Sequence, residues 1–309
     1  MEKYRKIDLF TLELGYALCD EEHLESILKP IVEIRENIFE KHGIAIHHVR
    51  VKDNPKLLPS EYVIKVSDCE VARYTLKKDS ILIIDTGSVT TTMKGSSTTE
   101  PAFGSPALWI SSAKEDEAKE NGYVVASYYK IIKVHLEEII KNNLPSVITT
   151  QYVSNLLEEV IMHGHKTLCE IIAHKYKYDS YRVIKEILQS LIKEKISIRN
   201  TIQIFETIAD EEMISRNGPL NLYEKVRLSI APDIVAPLIE NNYLKVLRLN
   251  QKLSEYLLEN GNEIINYYIC ERELIESFSR EYNEKRVKLN TTPVVICASS
   301  IRHIVKVFF

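Results

Sequence analysis

The sequence YRVIKEILQSLIKEKISIRNTIQIFETIA, residues 181–209, decides how the chain folds. In its first half, apolar residues recur at the spacing of an amphipathic helix: Val183, Ile184, Ile187, Leu188, Leu191 and Ile192. The charged run at 193–195 interrupts this pattern, and Ser197 is a candidate N-cap for a second helix. The buried face of that helix would carry Ile198, Ile202, Phe205 and Ile208 or Ile204. Two short helices with facing apolar stripes predict a helical hairpin at the centre of a core.

The composition is that of an ordinary globular chain. The chain has 309 residues, of which 45% are hydrophobic and 27% charged, and this length suits one large domain or a few small ones. A formal net charge of −4 provides no basic field for nucleic acid. No apolar run reaches the roughly 20 residues that cross a bilayer. Five scattered cysteines without paired spacing indicate reduced thiols: Cys19, Cys69, Cys169, Cys270 and Cys297.

Apolar periodicity divides the chain into an α/β part, an all-helical part from about residue 145, and a second α/β part. A long amphipathic helix over residues 21–42 contains Pro30, which predicts a bend or an early break. Ser67-Asp68 separates two alternating segments and predicts a hairpin. Residues 85–99 are rich in Ser, Thr and Gly and predict a loop. The predicted strands of the first part cover residues 7–18, 44–51, 62–66, 71–76, 81–84, 107–110 and 123–126.

Six motifs follow one another along the chain. The central stretch fits L-x-x-L-x-x-E-x-I/V-S-I-R-D/N-x-x-x-I-x-E-T-I/L. Segments 12–18, 49–62 and 99–110 fit L-E-L/V-G-Y, V-x-I/V-R/K-D-N-x-x-L-x-x-x-x-Y and T-x-D/E-P-A-F-G-x-x-A-x-W-I. An I-R pair with a later glycine, and the motifs G-Y-x-V-V and T-H-L, complete the set. Together they resemble the cytoplasmic domain of the large export-gate protein of type III secretion and flagellar export. Asn200 and Val134 depart from it, because the family usually has Asp and Thr there.

The resemblance implies a fold of the α+β multi-subdomain class. A first α/β subdomain, residues 1–78 and 128–147, would be interrupted by a small inserted α/β subdomain, residues 79–127. An all-helical subdomain, residues 148–227, and a mixed C-terminal α/β subdomain, residues 228–309, would follow. The family's membrane-spanning N-terminal half is absent from this sequence. The apolar, uncapped end at 307–309 adds the expectation that the chain is cut before a further strand.

The resemblance also implies a function without catalysis, metal or cofactor. Domains of this family form a ring, commonly of nine, at the cytoplasmic face of the bacterial inner membrane. They receive chaperone–cargo complexes, help to order substrate export, and act with the export ATPase stalk and switch components. Because Val134 and residues 163–175 depart from flagellar members, we expect a virulence export gate, with a flagellar one as the alternative.

The same resemblance singles out one binding site. In the family, a Phe and the acidic residue three positions before it line a dimple that grips chaperones. By position these are Phe103 and Glu100, with Pro101 between them and Val134 nearby. We expect Phe103 to be the apolar anchor, Glu100 to stand at the rim, and Val134 to make the floor more apolar. From the residues alone, Phe103 is equally well a core residue.

Two further motifs have structural interpretations. Asp53 and Asn54 predict a turn in which their side chains accept backbone N–H groups. Arg199 is predicted to hold a carboxylate or the carbonyls at a helix end, and not to bind cargo.

Alternative functions rest on weaker patterns. The cluster His163, His165, Cys169 and His174 lacks a standard zinc spacing, so no metal site is predicted. His47 and His48, on a predicted strand, should face opposite sides of the sheet. The main alternative is an enzyme with a site between the α/β subdomains, and the second is a nucleic-acid binder. The sequence shows no nucleophile–base constellation for the first, and its net charge argues against the second.

Overall fold

The computed structural model describes residues 7–210, 219–267 and 272–306. The chain divides into two compact units, Met1–Met213 and Ile214–Phe309. The strands are β1 (Phe10–Leu14), β2 (Arg50–Asp53), β3 (Glu61–Val66), β4 (Cys69–Thr75), β5 (Ser80–Ile84), β6 (Ser96–Thr99), β7 (Pro106–Ser111), β8 (Val124–Ala126), β9 (Val246–Arg248) and β10 (Val294–Ile296). The helices are α1 (Glu21–His42), α2 (Glu115–Glu120), α3 (Tyr128–Asn142), α4 (Thr150–Met162), α5 (Lys166–Tyr176), α6 (Ser180–Lys193), α7 (Thr201–Asp210), α8 (Pro219–Ser229), α9 (Ala231–Val235), α10 (Gln251–Tyr267), α11 (Arg272–Leu289) and α12 (Ser299–Val305).

Helices and several small sheets alternate along the chain, which confirms the predicted α+β multi-subdomain class. The predicted subdomain boundaries stay a prediction.

The first sheet has the strand order β2-β1-β3-β4, with β1 parallel to β2 and antiparallel to β3. All five residues of β1 are buried, and Phe10, Leu12 and Leu14 are fully excluded from solvent. Strands β3 and β4 form the predicted hairpin. Its turn residues Ser67 and Asp68 have φ values of 50° and 67°, the positive values that a tight two-residue turn requires.

Two sequence predictions near this sheet need correction. Helix α1 runs without interruption through Pro30, which excludes an early break there. The predicted strand at 44–51 is wrong, because residues 43–49 form no regular structure and β2 begins only at Arg50. Ile44 and Ile46 alternate as a strand would and are buried, but they fill the core without pairing to a neighbour. His47 and His48 are consequently both exposed.

The second sheet has the order β6-β7-β5-β8 and forms a small core with α2. That core contains Ile81, Ile83, Ile110, Ala118 and Tyr123. Strand β6 lies within the Ser- and Thr-rich stretch for which the sequence predicts only a loop. It is mostly exposed and pairs with β7 at the edge of the sheet. Because backbone hydrogen bonds alone define this strand, its sequence contains no apolar pattern that would predict it.

The helical layer, α4 to α7, differs from the predicted hairpin in its packing. Thr149 is the N-cap of α4 and accepts a hydrogen bond from the Tyr152 N–H. Helix α7 begins at Thr201, so Ser197 is not its N-cap and instead accepts the Arg199 N–H. Helix α7 packs against α5, and α6 packs against both α4 and α5, so α5 lies against both helices of the central stretch.

The seven residues between α6 and α7 lock this layer onto the first helix. The Ile198 N–H donates to the His42 carbonyl at 2.9 Å, and Arg199 Nη1 donates to the Glu40 carbonyl at 2.9 Å. Arg199 therefore holds helix-end carbonyls, which confirms one of its two predicted roles. Gly43 lies directly against Arg199, where an added Cβ would come within 2.8 Å of the Arg199 backbone nitrogen.

The second unit has its own core. Strands β9 and β10 pair in parallel, and the buried cluster of α10 and α12 consists of Leu257, Ile301, Ile304 and Val305. On α12, Arg302 makes a bidentate ion pair with the mostly buried Glu224 of α8. Across the residues that the structure describes, none of the helices has the length and apolarity needed to cross a bilayer.

Candidate functional site

A six-residue turn, residues 100–105, joins β6 to β7, and we call it the acid turn. Its ends are closed by two backbone hydrogen bonds, from the Glu100 N–H to the Ser105 carbonyl and from the Gly104 N–H to the Glu100 carbonyl. The Glu100 carboxylate caps the turn from within. Its Oε1 accepts the Ala102 N–H at 2.7 Å, and its Oε2 accepts the Phe103 N–H at 2.8 Å.

This bonding pattern turns Phe103 outward. The Phe103 side chain is 68% exposed, although its backbone is fixed by the buried carboxylate. A large apolar side chain in water gains nothing for the fold, so the core interpretation of Phe103 is wrong. A rigidly held exposed aromatic ring is the kind of feature that anchors a protein partner.

The position of Glu100 corrects a sequence expectation. Glu100 is only 6% exposed, and both carboxylate oxygens are occupied by backbone N–H groups. It therefore does not stand at the rim, where it would steer an approaching partner. The rim position was an expectation from the family resemblance, and burial is unusual here because charged residues are rarely buried without a partner. Two backbone donors supply the compensation here.

Pro101 and Val134 take different places around this turn. Pro101 lies within the acid turn and is half-buried. Val134 lies on α3, half-buried, one residue before His135. Glu100, Pro101 and Phe103 thus belong to one turn, and Val134 belongs to the helix behind it.

Four aromatic rings connect the acid turn to the first sheet, and we call them the aromatic bridge: Trp109, Tyr74, Tyr62 and His135. Trp109 of β7 stacks on Tyr74 of β4 with centroids 6.3 Å apart, and Tyr74 packs on Tyr62 of β3 at 6.3 Å. Tyr62 Oη and His135 Nδ1 form a buried hydrogen bond at 2.9 Å. The bridge therefore spans both sheets and α3.

The acid turn rests on this bridge. Tyr74 Oη donates to the Thr99 carbonyl at 3.2 Å, immediately before Glu100. Burial lowers the pKa of His135, and the Glu100 charge opposes that lowering. Burial, then Tyr74 and Glu100, raise the pKa of Tyr62. The buried carboxylate is thus close enough to act electrostatically on both ends of the Tyr62–His135 hydrogen bond.

Sequence reasoning missed the bridge as a unit. Tyr62 and His135 lie in two of the quoted motifs, but they are 73 positions apart, and nothing in either motif shows that the two side chains meet. The presence of a single tryptophan, inside the same motif as Phe103, was the one available signal.

The Asp53-Asn54 turn organises a second polar site. Asn54 Oδ1 accepts the Lys56 N–H at 3.0 Å, which confirms the turn role of Asn54, whereas Asp53 is exposed at the end of β2. Asn54 Nδ2 also donates to Glu13 Oε2 at 2.6 Å. Glu13 is 2% exposed and pairs with Lys65 at 2.8 Å and Lys52 at 3.0 Å.

This network controls the ionisation of Glu13. Burial alone would raise the pKa of Glu13, but hydrogen bonds from Lys65, Lys52 and Asn54 together lower it to about 2. Glu13 thus stays ionised in the folded chain, and the network is a structural feature of the first sheet.

The His and Cys residues singled out for metal binding lie on the helical layer. His163 ends α4 and is exposed, with Nδ1 hydrogen-bonded to the Glu159 carbonyl at 2.7 Å. Cys169 is buried in α5, and burial, then Glu170, raises the pKa of its thiol. Within the described ranges, no group of three or more His, Cys, Asp or Glu side chains is arranged to hold a metal ion.

Solved structures with this fold define its class. The Chlamydia pneumoniae CdsV protein, in the structure of the CdsV and CdsO protein complex, is 17% identical and superposes with a TM-score of 0.76 over 100% of this chain and 94% of that chain. The nonameric EscV cytosolic domain from the type III secretion system is 20% identical, with a TM-score of 0.69 over 98% of this chain and 88% of that chain. The fold is that of cytoplasmic domains of type III export gates.

Sequence comparison gives the family. The chain matches the FHIPEP family over residues 1–309, and it belongs to that family. The flagellar biosynthesis protein FlhA of Treponema pallidum is 34% identical over 82% of this chain and 36% of its own length. FlhA of Bacillus subtilis is 32% identical over 97% of this chain and 45% of its own length. The chain therefore spans less than half the length of the curated relatives that it matches.

Proposed function

We propose that this chain is the docking and ring-forming domain of an export gate at the cytoplasmic face of the inner membrane. Its work is to receive chaperone–cargo complexes and to help order their export. Membership of the FHIPEP family supports the export role. The observation that carries the docking role is Phe103, an exposed ring on a turn whose backbone is held by a buried carboxylate.

The flagellar system is the better-supported setting. Val134 and residues 163–175 favoured a virulence system, but both curated relatives described above are flagellar biosynthesis proteins. The two solved structures described above match the fold at only 17% and 20% identity, which carries no information about the system. We therefore assign the chain to flagellar export and retain virulence export as the second candidate.

A solved structure with the same fold supports ring formation. The related EscV cytosolic domain is nonameric, and we propose a ring of nine for this chain, with neighbouring first and helical subdomains in contact. When the chain is tethered to a membrane by the preceding segment of the full-length protein, electron microscopy should show closed rings. Dimers or irregular contacts on the same membranes would contradict the assembly.

Partners beyond the chaperones follow by analogy. A relative was solved in the CdsV and CdsO protein complex, and we propose that this chain likewise contacts the export ATPase stalk and switch components. The proposal includes no catalysis, cofactor, metal or nucleic acid, because it needs only a binding surface and an assembly surface.

The docking role is tested by Phe103→Ala. Truncating an anchor residue at an interface should weaken binding of a purified chaperone–cargo complex from the same bacterium by about 2 kcal/mol. The melting temperature should not change, because the side chain is 68% exposed. The matched control is Phe39→Ala, which removes a 57% exposed Phe from α1.

Calorimetric titration and thermal unfolding of the same preparations separate the alternatives. Weaker binding by Phe103→Ala alone supports the docking site. Equal losses from both variants would indicate nonspecific apolar contact. A lower melting temperature with unchanged affinity would assign Phe103 to the fold and remove the docking role.

A further inference from the structure

Two side chains of the acid turn, Glu100 and Phe103, differ sharply in exposure. Phe103 is exposed and makes no contribution to the core, whereas Glu100 is buried and, among the described residues, its carboxylate accepts hydrogen bonds from two backbone N–H groups of the turn. A partner that covers Phe103 would meet the outer face of the turn, and the carboxylate lies beneath that face. Any effect of Glu100 on binding therefore acts through the shape of the turn.

The turn needs an external support as well as an internal one. Strand β6 is a four-residue edge strand, exposed along most of its length, and it pairs only with β7. The acid turn at its end would be free to swing with this hairpin if nothing tied it to the first sheet. Tyr74 supplies such a tie, because its hydroxyl donates to the Thr99 carbonyl at 3.2 Å and lies 3.4 Å from Thr98 Oγ1.

The Tyr74 ring is itself held on both sides. It lies between Trp109, stacked at an interplanar angle of 29°, and Tyr62, tilted at 56°. Tyr62 is fully buried and bonded to His135, so the chain of contacts ends on α3. The Tyr74 hydroxyl is therefore placed by rings of both sheets, and its bond to Thr99 ties the acid turn to the first sheet.

We infer that Glu100 and Tyr74 are positioning residues of the docking site: Glu100 sets the shape of the acid turn, Tyr74 sets its place on the first sheet, and neither touches the partner. This inference rests on the proposed docking role of Phe103. It assigns to the buried carboxylate a role in shaping the site, and it adds a tyrosine on a different sheet to the site.

Partner-free measurements test the positioning first. Glu100→Ala removes both acceptors, so the Ala102 and Phe103 amide protons should exchange with solvent at least ~10-fold faster. Glu100→Asp keeps a carboxylate that reaches backbone N–H groups two and three residues ahead, and it should restore most of the protection. Tyr74→Phe should change the fluorescence of Trp109, the only tryptophan in the chain, because the ring loses its tether to β6.

Binding measurements then test whether positioning matters for docking. With the same chaperone–cargo complex as probe, Tyr74→Phe should weaken affinity up to ~5-fold, because the loosened turn must be re-ordered on binding at a cost no larger than the contribution of the lost hydrogen bond. Tyr176→Phe is the matched control, because it removes a comparable 3.3 Å bond to the Ile208 carbonyl in the helical layer. In a Phe103→Ala background, neither Tyr74→Phe nor Glu100→Ala should weaken binding further.

The outcomes separate this inference from the docking role itself. Additive losses in the Phe103→Ala background would mean that Tyr74 or Glu100 contacts the partner, and would overturn the inference. Unchanged amide exchange and fluorescence in the single variants would overturn it without reference to any partner. Normal binding by Phe103→Ala would instead overturn the docking role, and the amide exchange would still decide whether Glu100 and Tyr74 hold the turn. If Glu100→Ala fails to fold, Glu100→Gln takes its place, because an amide side chain keeps only one of the two acceptor oxygens that hold the Ala102 and Phe103 N–H groups.

Discussion

Two phenylalanines in the first unit have opposite surroundings. Phe205 lies on α7 and is fully buried, whereas Phe103 lies on the acid turn and is 68% exposed. Helical periodicity around Phe205 places it on the apolar face of an amphipathic helix. Phe103 stands in Pro-Ala-Phe-Gly, where no periodic pattern directs it inward, and the nearby carboxylate directs it outward. The same side chain thus stabilises the fold in one place and is available to a partner in the other.

A second pair of residues, Glu13 and Glu100, makes the same point for carboxylates. Both are buried, at 2% and 6% exposure. Glu13 is surrounded by Lys52, Lys65 and Asn54, and its charge stabilises the first sheet. Glu100 has only backbone N–H groups as hydrogen-bond partners among the described residues, and it stabilises a local turn.

The largest effect is expected for Phe205→Ala. Truncating a fully buried Phe loses its burial and leaves a cavity, which should lower the free energy of unfolding by about 3–5 kcal/mol. Chemical denaturation with far-UV circular dichroism measures the loss. Phe103→Ala is the control, and its unfolding free energy should stay within ~0.5 kcal/mol of the parent chain, as for surface substitutions in general.

A small loss for Phe205→Ala would contradict the comparison. It would mean that the Phe205 face of α7 is not part of the core of the helical layer. The hydrogen bonds from Lys175 and Tyr176 to the Ile208 carbonyl would then not fix α7 against α5.

The next effect concerns Glu13 and pH. Its pKa is lowered in the folded chain from 4.5 to about 2, so its stabilisation is present above pH 4.5 and is lost as the pH falls toward 2. This difference in pKa corresponds to about 3 kcal/mol of unfolding free energy. Glu13→Gln should therefore be less stable than the parent chain near neutral pH, and the two should converge at pH 2.

Glu33→Gln provides the matched control for that titration. Glu33 is 45% exposed and pairs with Lys133 at 2.6 Å, and exposed ion pairs contribute little to stability. The pH dependence of its unfolding should follow that of the parent chain. If Glu13→Gln and Glu33→Gln show the same pH profile, the buried network does not stabilise the first sheet.

These residues also show which features the sequence could predict. Periodic apolar patterns placed the long helix α1, the β3–β4 hairpin and the burial of Phe205. Each of these depends on residues close together in the sequence. The family resemblance added Phe103 and Glu100 as a pair, which no local pattern required.

The failures come from interactions between distant residues. Ser197 has the chemistry of a cap, yet α7 starts four residues later because Ile198 and Arg199 bond to the end of α1. Strand β6 exists through its pairing with β7, and its Ser and Thr side chains carry no strand signal. The aromatic bridge joins residues up to 73 positions apart, so periodicity and local motifs contain no information about it.

The smallest effect is expected at Gly104, which is compared with Gly43, a glycine of nearly identical backbone conformation. Gly104 of the acid turn has φ +72°, and Gly43 beside Arg199 has φ +73°. Both values lie in the left-handed region, where an added Cβ costs about 1–2 kcal/mol. At Gly104, nothing lies within 4 Å of the position that a Cβ would occupy. Gly104→Ala should therefore lower the unfolding free energy by only about 1 kcal/mol, close to the usual penalty for alanine at a positive φ.

Gly43→Ala adds a steric penalty to the same backbone strain. Its Cβ would meet the Arg199 backbone nitrogen and Cγ at 2.8 Å, and that backbone cannot retreat without breaking the hydrogen bonds to His42 and Glu40. Overpacking of this kind costs about 1–3 kcal/mol more. Urea unfolding of both variants measures the difference. Equal urea midpoints would show that the packed junction at Arg199 accommodates an added methyl group as readily as the open turn that carries Phe103. The contrast between the two regions would then be wrong.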